Sequence, residues 1–290
     1  MKKYKAIFFD WDGTAVLSRK APADVAVAAM KPLLQKGIKL IIVSGTTIEN
    51  IAHGKLEGLF TPEELSNLYL GLGRGAYNYA FDERGKAYVF RHEIPDKNKL
   101  LDIHRICSDI HMELLEKYDF PTDIVYSRPN YCKLDLMVDQ HRGENLFMQE
   151  SELDALKALL SEHGITGGLQ SLIDLSLEVG KKYGIETAPT CDAKYLEVGI
   201  SSKSDNVDTI LALLSEKFGI RAEDCAFWGD EYVGIEKGIF GSDSFMLTEK
   251  TKAGDFFDVS EVSGERPSQV QVLGGGVDRF LNFLKEEAFL

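Results

Sequence analysis

Residues 5–14 read KAIFFDWDGT, an apolar run that stops abruptly at two aspartates separated by one residue. Ala6, Ile7, Phe8 and Phe9 form an unbroken apolar segment, which reads as a strand buried on both faces of a parallel sheet. In open α/β sheets ligands bind outside the carboxyl ends of the strands. Asp10 and Asp12, two apart on extended chain, would share a face there, and Gly13 lets the backbone turn sharply beneath whatever binds. Two carboxylates this close resist simultaneous ionisation unless a cation lies between them or one keeps a proton. Either the pair binds a hard divalent metal such as Mg²⁺, or the aspartates divide nucleophile and acid roles; the two are compatible. The ordinary alternative, a solvated Asp-x-Asp-Gly turn, is disfavoured by the buried strand directly before it.

A chain of 290 residues accommodates one large domain or two of ordinary size. Its 44% hydrophobic and 27% charged content is that of a globular protein with a sizeable core. A formal charge of −13 argues against a nucleic-acid partner, whose phosphates require clustered Lys and Arg. Cys107, Cys132, Cys191 and Cys225 form no C-x-x-C pair, so they suggest neither a zinc site nor a redox motif. Four apolar residues before Asp10 are too few for a signal-peptide core, and no stretch approaches membrane-spanning length. The expectation is a cytoplasmic protein without a membrane partner.

Beyond the aspartate loop, residues 21–35 carry Val25, Ala28, Ala29 and Leu33 at helical spacing, with Pro22 in the first turn and Gly37 at the end. Residues 39–43 (KLIIV) form a second buried strand, completing a β-α-β unit parallel to the first. Ser44, Gly45, Thr46 and Thr47 follow at once, ahead of a helix starting near Ile48; taken alone, Ser44 reads as an ordinary N-cap. Residues 68–72 (LYLGL) are a third strand, followed by Gly73, Arg74 and Gly75. Residues 77–81 and 87–90 flank Asp82-Glu83-Arg84-Gly85 as a hairpin.

There the alternation changes. From Pro95 a long amphipathic helix carries Leu100, Ile103, Ile106, Ile110 and Leu114, and strand-like segments continue towards Gln140. A capping-box pattern at residues 151–154 opens a helix to His163. Residues 169–183 fit helix or strand, with length favouring helix. Residues 195–200 (YLEVGI) lead through Ser201 and Ser202 to Lys203 and a helix to Phe218, with Val207, Ile210, Leu211 and Leu214 on one face. Residues 225–228 (CAFW) form a strand ending in Gly229, Asp230 and Glu231; residues 244–247 (SFML) suggest an edge strand, and 277–287 a closing helix. The expected architecture is α/β, a Rossmann-like parallel sheet with helices on both faces (residues 1–91 and 191–290), interrupted by an inserted α+β module at 92–190.

Four polar clusters end strands or begin helices in order: Asp10 with Asp12, Ser44, Lys203, and Asp230 with Glu231. DWDGT, IIVSGT, GISSKSDN and FWGDE together resemble the four motifs of the haloacid dehalogenase-like superfamily of phosphohydrolases. The insertion after the third strand resembles the large α/β cap of its sugar-phosphatase branch. The resemblance implies Asp10 as nucleophile through an aspartyl-phosphate and Asp12 as acid and base. It implies Mg²⁺ held by Asp10, Asp230 and the backbone carbonyl of Asp12, and a phosphoryl group held by Ser44, Gly45, Lys203 and the backbone N–H groups of the 10–13 loop. Residues 1–91 and 191–290 would be the catalytic core and 92–190 the cap.

The branch usually carries a second aspartate a few residues after Gly-Asp, where Gly234 stands in this chain. Glu231 is the expected substitute in the metal set, ahead of Glu236 and Asp243. Arg74 sits where the branch places a substrate-facing residue, and Arg128, Tyr131 and Lys133 lie in the cap's strand region. The implied activity is hydrolysis of a small phosphorylated metabolite, foremost a sugar phosphate, by a monomer or homodimer. A sugar-phosphate phosphomutase and a non-catalytic module retaining the fold are the alternatives.

Overall fold

On the strand Ala6–Phe9 (β1) every residue is buried, and alternate residues enter different cores. A computed structural model describes residues 2–139, 150–192 and 194–289, without the side chains of residues 150 and 151. In chain order, Asp24–Gln35 (α1), Lys39–Ser44 (β2), the short helices Leu56–Leu59 (α2) and Pro62–Leu65 (α3), Leu68–Leu72 (β3), Tyr77–Phe81 (β4) and Ala87–His92 (β5) follow β1. Next come Lys97–Tyr118 (α4), Asp123–Val125 (β6), Tyr131–Asp135 (β7), Glu150–Glu162 (α5), Gly168–Lys182 (α6), Thr190–Cys191 (β8) and Tyr195–Gly199 (β9). The last part contains Lys203–Phe218 (α7), Cys225–Gly229 (β10), Gly234–Glu236 (β11), Ile239–Phe240 (β12), Asp255–Asp258 (β13), Val270–Val272 (β14) and Gly276–Phe289 (α8).

The chain divides into two units: Met1–Glu93 with Lys203–Val233 and Asp243–Leu290, and Ile94–Ser202 with Gly234–Ser242. The first holds a sheet in the order β14-β13-β10-β1-β2-β3-β4-β5, parallel from β14 to β3 and antiparallel beyond. Ile7 and Phe9 pack with Met30 and Leu33 of α1 and Phe280 and Leu284 of α8. Ala6 and Phe8 pack with Val207, Ile210, Leu211 and Leu214 of α7. Helices therefore cover both faces, as the two-sided apolar character of β1 requires. Phe8, Phe227 and Phe256, one from each of three adjacent strands, stack at ring separations of 4.8 and 4.6 Å and lock the register around β10.

The second unit is a four-stranded antiparallel sheet, β6-β7-β9-β8, whose core includes residues of α4, α5 and α6. Residues 169–182 are helical in α6 as expected, with Leu169, Leu172 and Val179 buried. Tyr195–Gly199, which the sequence reading joined to the first unit at residue 191, pairs with Tyr131–Asp135 in this second sheet. Its alternating burial, with Leu196 and Val198 inside, is the signature of an antiparallel strand covered on one face.

Other expectations change in detail. Of the expected line on α1, Ala29 and Leu33 are buried, together with Ala26, Val27, Met30 and Leu34, while Ala28 is exposed and Val25 is 60% exposed. Ile48–Gly54 is a distorted 3-10 segment, with Ala52 and His53 left-handed. Residues 244–246 belong to the 3-10 turn Ser242–Met246, with Leu247 just beyond it, and β13 and β14 extend that side of the sheet instead. The cap expected at Ser151 and the end near Gln140 lie outside the described residues. Among the described residues no helix is long and apolar enough to cross a membrane.

Candidate active site

The sharp turn after β1 sets the geometry. The Asp10 N–H donates to the Trp228 carbonyl at 3.0 Å, extending the ladder, and the Gly13 N–H closes on the Val16 carbonyl at 2.7 Å. Of the loop N–H groups expected to face a phosphoryl group, those two are thus already committed. Gly13 has φ +88°, and a Cβ there would lie 2.2 Å from an Asp230 carboxylate oxygen, so only glycine lets the two loops approach. The Thr14 hydroxyl donates to Asp230 Oδ1 at 2.8 Å and fixes that carboxylate from the same turn.

Lys203 opens α7 and is 6% exposed. Its ammonium lies 3.0 Å from Asp10 Oδ1 and 2.7 Å from Asp243 Oδ1. Asp243 is fully buried, and its Oδ2 accepts from the N–H groups of Asp230 (2.9 Å) and Glu231 (2.8 Å). One carboxylate therefore ties the β10 loop to the lysine. Gly229 is required for this approach, because a Cβ there would lie 2.3 Å from Asp243 Oδ2.

Asp10, Asp230 and Asp243 each offer a carboxylate oxygen within 4.8 Å of the others. Asp243 is the third acid of this cluster, an arrangement in which the sequence pointed first to Glu231. It stands thirteen residues beyond Asp230 because the β11–β12 hairpin intervenes, and that spacing hid it.

Burial, opposed by Lys203 and reinforced by Asp243 and Asp12, pushes the Asp10 carboxyl well above its ordinary range. Burial, Asp243, Glu231 and Asp10 do the same to Asp230. Burial opposes the charge on Lys203, yet Asp10 and Asp243 hold its affinity for a proton above the ordinary lysine value. Two of the three carboxylates, Asp10 and Asp243, thus share one ammonium while Asp230 has none among the described residues, and all-oxygen donors with uncompensated negative charge suit a hard divalent cation. The residues present fit a metal of that class.

Asp12 faces a different cation. Arg19 approaches Asp12 Oδ2 at 2.7 Å, and its other terminal nitrogen donates to the Thr46 hydroxyl at 3.2 Å. Burial raises the Asp12 carboxyl and Arg19 opposes the rise. Ser44, buried at the end of β2, accepts from the Thr46 N–H at 3.3 Å. The Gly73 N–H reaches both the Ser44 and Thr46 carbonyls at 3.1 and 3.0 Å. Arg74 sits between Gly73 and Gly75 in a run of three positive φ angles, 67°, 53° and 89°. The Gly75 N–H donates to Asn206 of α7 at 2.7 Å, and the Arg74 Cγ is 3.6 Å from where a Gly45 Cβ would be. Asp10, Asp230 and Lys203 are therefore brought into one cluster, while Asp12, Ser44, Gly45 and Arg74 are linked through adjoining loops. Arg19 and Asn206 were not foreseen, since each acts across loops distant in sequence.

No family model and no curated protein sequence matches the chain. Among solved structures, an N-terminally truncated, IMP-bound Plasmodium falciparum IMP-nucleotidase aligns with a TM-score of 0.60 and 13% identity, over 99% of this chain and 69% of that one. Sucrose-phosphatase from Synechocystis, in complex with sucrose and phosphate, aligns with a TM-score of 0.52 and 13% identity, over 99% of this chain and 98% of that one. This is the haloacid dehalogenase-like fold. At such identity the haloacid dehalogenase-like match concerns the backbone alone, and the side-chain cluster is an independent observation on this chain.

Proposed function

We propose that the chain is a Mg²⁺-dependent phosphomonoesterase acting on a small phosphorylated metabolite, foremost a sugar phosphate. The observation that carries this reading is the Asp10–Lys203–Asp243 chain of contacts, with Asp230 in the same buried cluster. Asp10 attacks phosphorus, the bond to the leaving oxygen breaks, and an aspartyl-phosphate forms; attack by water on that phosphorus then releases phosphate and regenerates Asp10. Asp12 gives its proton to the leaving oxygen and recovers one from the attacking water. Lys203 and the Ser44 hydroxyl hold the non-bridging oxygens where charge spreads.

Asp10, Asp230 and Asp243, with the Asp12 carbonyl, would hold the metal. When bound, the ion neutralises the acids and screens the phosphate from them. Asp243 also keeps Lys203 charged and orients the Asp230 loop. Arg74, beside Gly45, contributes to substrate binding, and the first unit acts as catalytic core to the second unit's cap. The main reason for a non-catalytic reading, the missing acid at Gly234, loses its force with Asp243 in the cluster.

The test is turnover of a phosphate-ester panel with Mg²⁺. Phosphate release from hexose phosphates that vanishes in Asp10→Asn supports the reading. Isomerised product without phosphate release would point to the phosphomutase. Wild-type inactivity across the panel would sink both.

A further inference from the structure

Arg19 joins two parts of the site that the backbone leaves separate. Its loop lies between β1 and α1, and its guanidinium bridges the Asp12 carboxylate (2.7 Å) and the Thr46 hydroxyl (3.2 Å). Thr46 in turn donates its N–H to Ser44 Oγ at 3.3 Å, and Asn50 donates to the Thr46 hydroxyl at 2.9 Å. A continuous chain of polar contacts thus runs from Asp12 through Arg19 and Thr46 to Ser44. Only a planar, forked cation can reach a carboxylate and a hydroxyl on two loops with two of its nitrogens at fixed relative positions; a lysine ammonium offers a single point.

We propose that Arg19 is a positioning residue for proton transfer, holding the Asp12 carboxyl in register with the Ser44 loop so that it meets the leaving oxygen. This rests on the phosphomonoesterase reading and adds to it a specific division of labour. Lys203, paired with Asp10 and Asp243, serves the transferred phosphoryl group; Arg19, paired with Asp12, serves the group that departs. The role therefore matters in proportion to how badly the leaving group needs a proton. An alkyl phosphate expels an alkoxide and needs one as the P–O bond breaks. p-Nitrophenyl phosphate expels a stable phenolate and does not.

The experiment measures kcat/KM, which reports events up to leaving-group departure, for wild type, Arg19→Ala and Arg19→Lys with Mg²⁺. The substrates are p-nitrophenyl phosphate and a primary alkyl phosphate that the wild type hydrolyses. Arg19→Ala is expected to lose about 10- to 100-fold on the alkyl ester and less than about threefold on the aryl ester. Arg19→Lys should recover part of the alkyl activity, with the unfolding temperature unchanged in both variants. Equal losses on the two esters, or no loss on the alkyl ester, would overturn the role while leaving the phosphatase reading intact. Wild-type inactivity on every ester would remove that reading and this role together.

Discussion

Asp243 is the residue on which the acidic cluster closes, because its two oxygens meet three donors: the Lys203 ammonium and the N–H groups of Asp230 and Glu231. Asn offers one acceptor oxygen and would turn an N–H group towards one side of that arrangement. Asp243→Asn is therefore expected to weaken Mg²⁺ binding by about 10- to 100-fold, read by isothermal titration calorimetry, whereas Glu231→Gln should change it by less than about threefold. A larger effect at Glu231 would restore the acid expected from sequence. The raised Asp10 and Asp230 carboxyls give a second prediction. Without metal, the folded protein holds these protons to higher pH than the unfolded chain, where the carboxyl value is near 3.8. Between 3.8 and the raised values the folded state binds more protons, so this contribution to stability falls as pH rises. A divalent cation takes the place of those protons, so Mg²⁺ should raise the unfolding temperature more at pH 8 than at pH 5. An equal rise at both would show that protons and metal do not compete for these acids.

Each loop of the site hangs from the carboxyl end of an element, and the turn after β1 has the least freedom. Gly13→Ala would add a methyl 2.2 Å from the Asp230 carboxylate and force a left-handed backbone on a residue that resists it. Activity is expected to fall by at least about 100-fold, with Mg²⁺ affinity falling in parallel; a near-wild-type turnover number would show that the β1 and β10 loops need not approach so closely. The same elements were the most readable in sequence. β1, β3 and β10 are apolar throughout, β2 is apolar between Lys39 and Ser44, all four are buried, and α7 keeps its apolar face to the sheet, so Asp10, Ser44, Lys203 and Asp230 could be placed at their ends. β13 and β14 escaped because DFFD is short and polar at both ends and VQV is shorter still with a glutamine at its centre, and parallel pairing of β13 to β10 and of β14 to β13 supplies what their own pattern lacks. Residues 195–199 were visible as a strand, but strand pattern alone does not say which sheet a strand joins. Arg19 was illegible for a similar reason, since a guanidinium linking residues 12 and 46 leaves no mark on local periodicity.

At the scale of the whole molecule, the chain passes between the two units after residues 93, 202, 233 and 242. Lys203 and Asp243 are each the first residue after a return to the first unit, and they pair with each other at 2.7 Å. The nine residues between the last two crossings are more than a surface loop. Ile235 and Ile239 are 1% and 8% exposed within the second unit's core, and Glu236 accepts from the Leu169 N–H at 2.8 Å, capping the start of α6. Gly168, with φ +59° and a would-be Cβ 2.6 Å from Glu236, is shaped to receive it. The segment separating two acids of the cluster is therefore structural material of the other unit. Ile235→Ala is expected to cost about 2–4 kcal/mol, and the loss should be confined to the second unit. Hydrogen exchange should show faster opening of amides in β7 and α4, while those of β1 and β10 keep their protection. Equal acceleration in β1 and β10 would mean that the two units unfold as one, and that the hairpin's packing stabilises the first unit's sheet as much as its own.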